Sequence, residues 1–410
     1  MTETESEKIV ELSHEIASKI KKDKVDLYRA KEHVPSLISL YSIPLADSLS
    51  MIDGFGLKVY NGAISINHQQ MAACILREVL YSSGFDVKAF VEEVSVPRSG
   101  GVTYRLLLNS LIYSELDLDE SVSVMPLKKM RDAGVVSDHF IDEVRSELHG
   151  VMEIIDNYAV LEIRQSVPNL VVQTLEGVEI GVGKTIGRVI EDKCLFFKQM
   201  FSLTNSNAIV PLVGWFTYDE KRLNSICPHK PKLYQDQQSM YPVAEKVDWE
   251  QIVSLFPNKE AIYQIDKLRS VIERIYLAQS NDRLESKWLD LSIVLEMLCV
   301  EGSGDNTYKV SNHMAWFLGK SPEQKNEIRK QVKDFYGIRS NIIHTGRKSA
   351  KKKEKSIDYY NQIYNENLSL IQKAIIQIIS LGGVPDWTLF SDCNCCLEEY
   401  TEYNRINKNN

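Results

Sequence analysis

Long apolar runs, paired cysteine clusters and a basic charge excess are all missing from this chain of 410 residues. No apolar run approaches the roughly 18 to 20 residues that a bilayer-spanning helix needs, and the N-terminus lacks the basic-then-apolar order of a secretory signal. Four of the seven cysteines stand alone, and the CNCC run at 393–396 has no second cluster to complete a zinc set. We therefore predict a cytoplasmic protein with reduced thiols, no membrane segment and no bound metal.

Acidic residues outnumber basic ones, with 56 Asp and Glu against 48 Lys and Arg and a formal net charge of −8. This balance argues against broad coating of nucleic acid or of a membrane surface, although it is compatible with a local basic site. The segment GVEIGVGKTIG (177–187) resembles a phosphate-binding P-loop, but the position of the required first glycine is Val178. We interpret this segment as a β-turn between two strands and predict no cofactor.

Two textures divide the chain, and together they predict an α+β protein. After a helix in the first 30 residues, the region 1–250 mixes β-branched and aromatic runs typical of strands with amphipathic segments typical of helices. A polar, Pro-containing stretch at 227–249 is the best candidate for a linker, so this region contains one or two subdomains. Beyond it, five amphipathic segments predict a helical bundle over 258–385, followed by a C-terminal tail at 386–410.

Arg339 lies in the middle of the apolar face of the fourth bundle segment, which begins with Ser321 as N-cap and Pro at the first helical position. On a helical wheel Arg339 falls at about 100°, between Ile338 at zero and Tyr336 at about 160°. An unpaired guanidinium there would be expensive, and Glu296 is a lone charge in another apolar segment of the bundle. We therefore predict that Arg339 and Glu296 pair. A structural ion pair that fixes helix register would account for the glutamate alone.

His344 follows Arg339 by five residues, which places the two about 140° apart on one helix. They face one groove only if the helix breaks at this motif or if two copies of the chain meet across a dimer axis. Arg339-Ser-Asn-Ile-Ile-His344 fits the Arg-x4-6-His motif of the HEPN domain superfamily. Its surroundings, KWLDLSIVLEMLCVEGSGDNTYKVSNHMAWFLGK and FYGIRSNIIHTGRK, resemble the Apea-like branch of that family. The resemblance covers about 260–385.

This resemblance implies an α-helical domain that forms a homodimer with both motifs at the interface. Many members are metal-independent endoribonucleases, often toxins or antiviral effectors. By the same resemblance, His344 acts as general base or acid on the ribose 2′-hydroxyl, and Arg339 holds the scissile phosphate. Ser340 or Asn341 would orient the imidazole, and Glu296 would position the guanidinium. The expected product carries a 2′,3′-cyclic phosphate, because the 2′-oxygen is the nucleophile.

A basic segment, RKSAKKKEK (347–355), follows the motif and indicates contact with an RNA backbone, although such a charge run is also typical of a solvated loop. The cations predicted to bind RNA are Arg347, Lys348, Lys351, Lys352 and Lys353. The prediction is an endoribonuclease that cleaves tRNA or mRNA under control of its N-terminal region, which responds to an unknown trigger or inhibitor. The alternative is a non-catalytic HEPN module used for dimerisation, RNA binding or partner recognition.

Overall fold

The described part of the chain is an α+β structure, as predicted. This computed structural model describes residues 3–22, 41–50, 58–59, 64–65, 68–81, 84–95, 98–137, 140–142, 144, 156–172, 181–219, 232–233, 243–244, 246–300, 302, 304–345 and 356–387. These ranges contain thirteen α-helices and eight strands. Among the described residues, no helix is both long enough and apolar enough to cross a membrane.

The strands belong to one antiparallel sheet. They are β1 Lys58–Val59, β2 Ile64–Ser65, β3 Arg98–Leu111, β4 Leu116–Asp117, β5 Val122–Pro126, β6 Tyr158–Val172, β7 Pro211–Tyr218 and β8 Lys232–Leu233. Their order is β2-β1-β6-β3-β7-β8, and β5 pairs with both β6 and β4. The long strands β3 and β6 form the centre, in a register that sets Arg105 opposite Glu162 on one side and opposite Trp215 of β7 on the other.

The helices fall into an N-terminal set and a C-terminal bundle. The first set comprises α1 Glu3–Lys22, α2 Ile43–Ser50, α3 His68–Tyr81, α4 Val87–Ser95, α5 Leu127–Asp132 and α6 Gly181–Thr204. The second comprises α7 Trp249–Leu255, α8 Lys259–Gln264, α9 Leu268–Ser280, α10 Leu284–Cys299, α11 Asn306–Leu318, α12 Pro322–Thr345 and α13 Ile357–Leu381, with a 3-10 turn at Phe256–Asn258. The predicted bundle is confirmed as a run of helices.

Helix α6 contradicts the β-turn that we predicted at 177–187, because Gly181 already lies in its first turn. The physical reason is the apolar spacing further along the helix. Phe197, Met200 and Phe201 recur at helical intervals and are completely buried. Burial of that stripe outweighs the low helix propensity of the glycines at the start. Residues 177–180 lie outside the described part of the chain.

A single hydrophobic core joins the sheet to the bundle. On one sheet face, Leu106 and Leu161 pack with Phe197 of α6, and the same cluster continues to Trp288 and Ile375 in the bundle. The predicted linker at 227–249 contains β8, which pairs with β7. The hydrophobic core includes residues from both sides of position 250. The predicted division into two domains near 250 therefore stays a prediction.

The opposite face of the sheet has its own cover. Leu107, Val160 and Trp215 form a separate core there with Leu127 and Met130 of α5. The first four helices build a third core, into which the sheet contributes Val102, Val167 and Tyr218. These layers bury the sheet on both sides and leave the bundle on the side of α6.

Candidate functional site

Helix α12 carries the predicted motif without interruption. Its start is confirmed, because the Gln324 N–H donates to Ser321 Oγ at 3.3 Å and the helix begins at Pro322. It continues to Thr345, so Arg339 and His344 belong to one unbroken helix. Residues five apart on a regular helix lie about 140° apart around the axis and about 7.5 Å apart along it. The helix therefore does not break within the motif.

The motif helix is anchored by a buried aromatic stack. The rings of Phe335 and Trp288 lie parallel within 10°, with their centroids 4.5 Å apart, and both side chains are fully buried. Val332 lies on the same face of α12 and is also fully buried. This apolar contact holds α12 against α10 one helical turn before Arg339, so the position of the arginine is determined by core packing.

Arg339 and Glu296 form the predicted ion pair. Their closest atoms, Arg339 Nη1 and Glu296 Oε1, are 3.6 Å apart, and each side chain is 28 % exposed. Arg339 Nε is buried and has no hydrogen-bond partner among the described residues. A loose pair with solvent access contributes little to stability. It leaves a partly exposed guanidinium at the surface of the bundle.

Tyr336 completes this cluster, and the sequence analysis gave it no role. Its ring centroid is 5.8 Å from Arg339 Cζ, and its hydroxyl donates to the Ser292 carbonyl oxygen at 3.4 Å. Burial and the nearby Glu296 carboxylate raise the pKa of Tyr336. The phenol therefore stays neutral at physiological pH and acts as a donor beside the ion pair. Its position three residues before Arg339, one helical turn away, was the available sequence signal.

The remaining predicted site residues are located only in part. Ser340 is exposed on α12. Asn341 and His344 lie in the last turns of the same helix, and their side chains are outside what the structure describes. The five predicted RNA-binding cations, between 347 and 353, also lie outside the described residues. The structure thus brings Arg339 together with Glu296 and leaves the other assignments as predictions.

A second Arg–Glu pair, which sequence analysis did not single out, lies in the sheet. Arg105 Nε donates to Glu162 Oε2 at 2.8 Å, and Arg105 Nη1 donates to Thr217 Oγ1 at 2.5 Å. Arg164 holds the other oxygen of the same carboxylate at 2.8 Å. Burial lowers the pKa of Arg105, although the partner Glu162 opposes this effect. The side chains of Arg105 and Glu162 are 8 % and 7 % exposed.

In the described part of the chain, no three His, Cys, Asp or Glu side chains lie close enough together to hold a metal ion. The CNCC run lies outside that part. Comparison with protein-family models, with curated proteins and with solved structures gives no match in any of the three cases. The likeness to the HEPN superfamily therefore depends on the motif and its flanking residues.

Proposed function

We propose that this protein is a metal-independent endoribonuclease of the HEPN type. The observation that supports this most strongly is the state of Arg339. A guanidinium is set in the apolar face of a bundle helix, held by Glu296 at 3.6 Å, and more than a quarter exposed. A purely structural arginine would be held by close, saturated hydrogen bonds inside the protein. An arginine that is loosely paired and exposed keeps donors available for a phosphate.

The proposed reaction uses the 2′-hydroxyl of the RNA as its nucleophile. His344 removes the hydroxyl proton, and the 2′-oxygen then attacks the adjacent phosphorus. Arg339 binds the phosphate oxygens and stabilises the negative charge that develops on them. The bond from phosphorus to the 5′-oxygen breaks, and the leaving oxygen takes up a proton. The products are a 2′,3′-cyclic phosphate and a 5′-hydroxyl end, so the step needs neither water nor metal.

A second copy of the chain is part of the proposal, because one unbroken α12 holds the two motif residues well apart around its axis. An apolar stripe on α10 runs beside Glu296 and is only partly covered. Leu289 is 40 % exposed, and Ile293 and Met297 are partly buried. Such a stripe next to a charged centre suits the contact between two copies. Pairing there would set the Arg339 and His344 of each copy along one shared groove.

Control by the N-terminal region, in a toxin or an antiviral defence system, completes the proposal. Both the control and the biological setting follow from the family resemblance alone. No described residue indicates the chemical nature of the trigger. The alternative, a non-catalytic HEPN module for RNA binding or partner recognition, would use the same surface without cleavage.

The test is cleavage of a mixed tRNA and mRNA pool in EDTA by wild type, Arg339→Ala and His344→Ala. Lys333→Ala, which removes an exposed cation from the same helix, is the matched control. We expect the wild type and the control to produce cyclic-phosphate ends and the two motif variants to produce them at least about 100-fold more slowly. Cleavage that requires a metal, or that survives His344→Ala, would contradict the mechanism. If the wild type and all variants bind RNA but none of them cleaves it, either in vitro or in cells that express the protein, the non-catalytic module is favoured.

A further inference from the structure

Two glutamines of the bundle hold the C-terminal end of α6. The carbonyl oxygens of Ser202 and Asn205 each accept a hydrogen bond from Gln279 Nε2, both at 2.9 Å. The same two oxygens accept from Gln372 Nε2 at 2.8 and 2.7 Å. All four residues are more than nine-tenths buried. We call this arrangement the glutamine clasp.

The clasp satisfies groups that a helix cannot satisfy by itself. The last carbonyls of an α-helix have no partner within the helix, and a buried carbonyl without a partner is costly. Each glutamine amide has two hydrogens, and both are used. If α6 slides against α9 and α13, all four buried hydrogen bonds break together. The bonds come from two different helices, so the end of α6 is held from both sides.

The clasp is connected to the buried aromatic stack of the bundle. Gln279 follows Ala278, whose carbonyl oxygen accepts a hydrogen bond from the Tyr364 hydroxyl at 3.1 Å. Tyr364 lies on α13, as does Gln372, and its ring centroid is 6.5 Å from that of Trp288. The two helices that form the clasp therefore also make a shared contact with α10.

The stack in turn positions the motif helix. Trp288 lies flat against Phe335 at 4.5 Å, and the next residue, Tyr336, places its ring 5.8 Å from the Arg339 guanidinium carbon. A continuous series of buried contacts thus links the end of α6 to the arginine.

We propose that the glutamine clasp is the joint through which the N-terminal region controls Arg339. This inference rests on the proposed function and specifies how that function is regulated. While the clasp is engaged, α9 and α13 hold the Trp288–Phe335 stack and the end of α12 in place. When α6 is displaced, the clasp opens and α12 loosens from Phe335 to its C-terminal end.

The test is hydrogen exchange of the full chain, compared between the wild type and Gln372→Leu. Gln362→Leu is the matched control, because Gln362 lies on the same helix, is exposed and bonds only its neighbour Glu366 in the described structure. We expect Gln372→Leu to raise exchange over 335–345 about fivefold or more, and Gln362→Leu to leave it unchanged. Exchange in β6, which shares the core but lies off this path, should stay at the wild-type rate. Gln279→Leu releases the same carbonyls from α9 and replaces Gln372→Leu if that variant does not fold.

Unchanged exchange over 335–345 in the clasp variants would overturn the inference. An equal rise in β6 would also overturn it, since that result means general loosening of the core. RNA cleavage by the same proteins is scored separately. If the wild type cuts RNA but exchange does not respond, the proposed function stands and the clasp is only structural. If nothing cuts RNA, exchange still decides whether the clasp controls α12.

Discussion

Arg105 and Glu162 in the sheet, and Arg339 and Glu296 in the bundle, both form ion pairs, but the two pairs differ in how completely their hydrogen-bonding groups are satisfied. In the sheet, Arg105 and Glu162 are 2.8 Å apart and almost inaccessible, and Thr217 and Arg164 supply further hydrogen bonds. In the bundle, Arg339 and Glu296 are 3.6 Å apart and each more than a quarter exposed. The same two residue types therefore serve different ends.

Hydrogen-bond saturation and solvent access distinguish a structural ion pair from a candidate binding group. Burying two charges is costly unless geometry and further hydrogen bonds compensate, as they do at Arg105. A guanidinium that is loosely paired and has solvent access, as at Arg339, retains binding capacity for an incoming anion. The sheet pair is predicted to matter for stability and the bundle pair for activity.

The largest effect on stability is expected from Arg105→Leu. Removal of the guanidinium leaves the buried Glu162 carboxylate with only its half-exposed partner, so the free energy of unfolding should fall by about 3–5 kcal/mol. Urea denaturation of the full chain measures this. Arg164→Leu, at the other oxygen of the same carboxylate but 53 % exposed, is the control and should cost about 1 kcal/mol or less. Equal losses in the two variants would remove the distinction.

Arg339→Ala should have the opposite profile. We expect RNA cleavage to fall about 100-fold or more, because a donor that stabilises transition-state charge is lost. The free energy of unfolding should change by about 1 kcal/mol or less, since the pair is loose and partly exposed. Single-turnover cleavage and urea denaturation on the same sample give both values. A large loss of stability would place this pair in the same structural class as the sheet pair.

Thr217→Val measures how much the hydrogen bond between Arg105 and Thr217 contributes to the stability of the sheet pair. The variant keeps the shape of the side chain but removes the acceptor for Arg105 Nη1. A hydrogen bond to a charged group contributes about 1.5–3 kcal/mol, so the free energy of unfolding should fall by about that amount. Ser380→Ala, which removes a hydroxyl whose only hydrogen bond among the described residues is to the Gln377 carbonyl of its own helix, is the control and should cost less. If both variants unfold at the wild-type urea midpoint, the hydrogen bond from Arg105 to Thr217 does not contribute to the free energy of unfolding.

Tyr336→Phe should change the alkaline limb of the stability curve. Burial raises the pKa of the Tyr336 phenol in the folded chain. In the unfolded chain the same phenol has a pKa of about 10, so the unfolded chain loses this proton first as pH rises. The stabilising contribution is complete below that pH and is lost above it. Because Tyr158, Tyr263 and Tyr364 also have raised pKa values in both proteins, the effect of Tyr336 is the difference between the curves: the wild-type curve should fall more steeply by up to about 1.4 kcal/mol per pH unit. Denaturation at pH 9, 10 and 11 measures the two slopes, and parallel slopes would contradict the assignment.

The fold was predictable where a pattern is local. The α+β class and the start of α12 at Ser321 and Pro322 follow from periodicity and capping chemistry, and the structure confirms them. Helix α6 was missed because its glycine-rich start favours a turn. Only burial of its later phenylalanines against the sheet makes the whole segment helical.

The candidate site was predictable to the same extent. By itself, the sequence determined that Arg339 and Glu296 each stand as lone charges on apolar helix faces, and the cost of burying a lone charge required them to meet. The tertiary structure decided what no local pattern encodes. It left the Arg339 pair loose and partly exposed, saturated the Arg105 pair with further partners from two strands, and brought Gln279 and Gln372 to the same two carbonyls. Those outcomes depend on which surfaces pack together, because long-range contacts are set by the shape of the whole core.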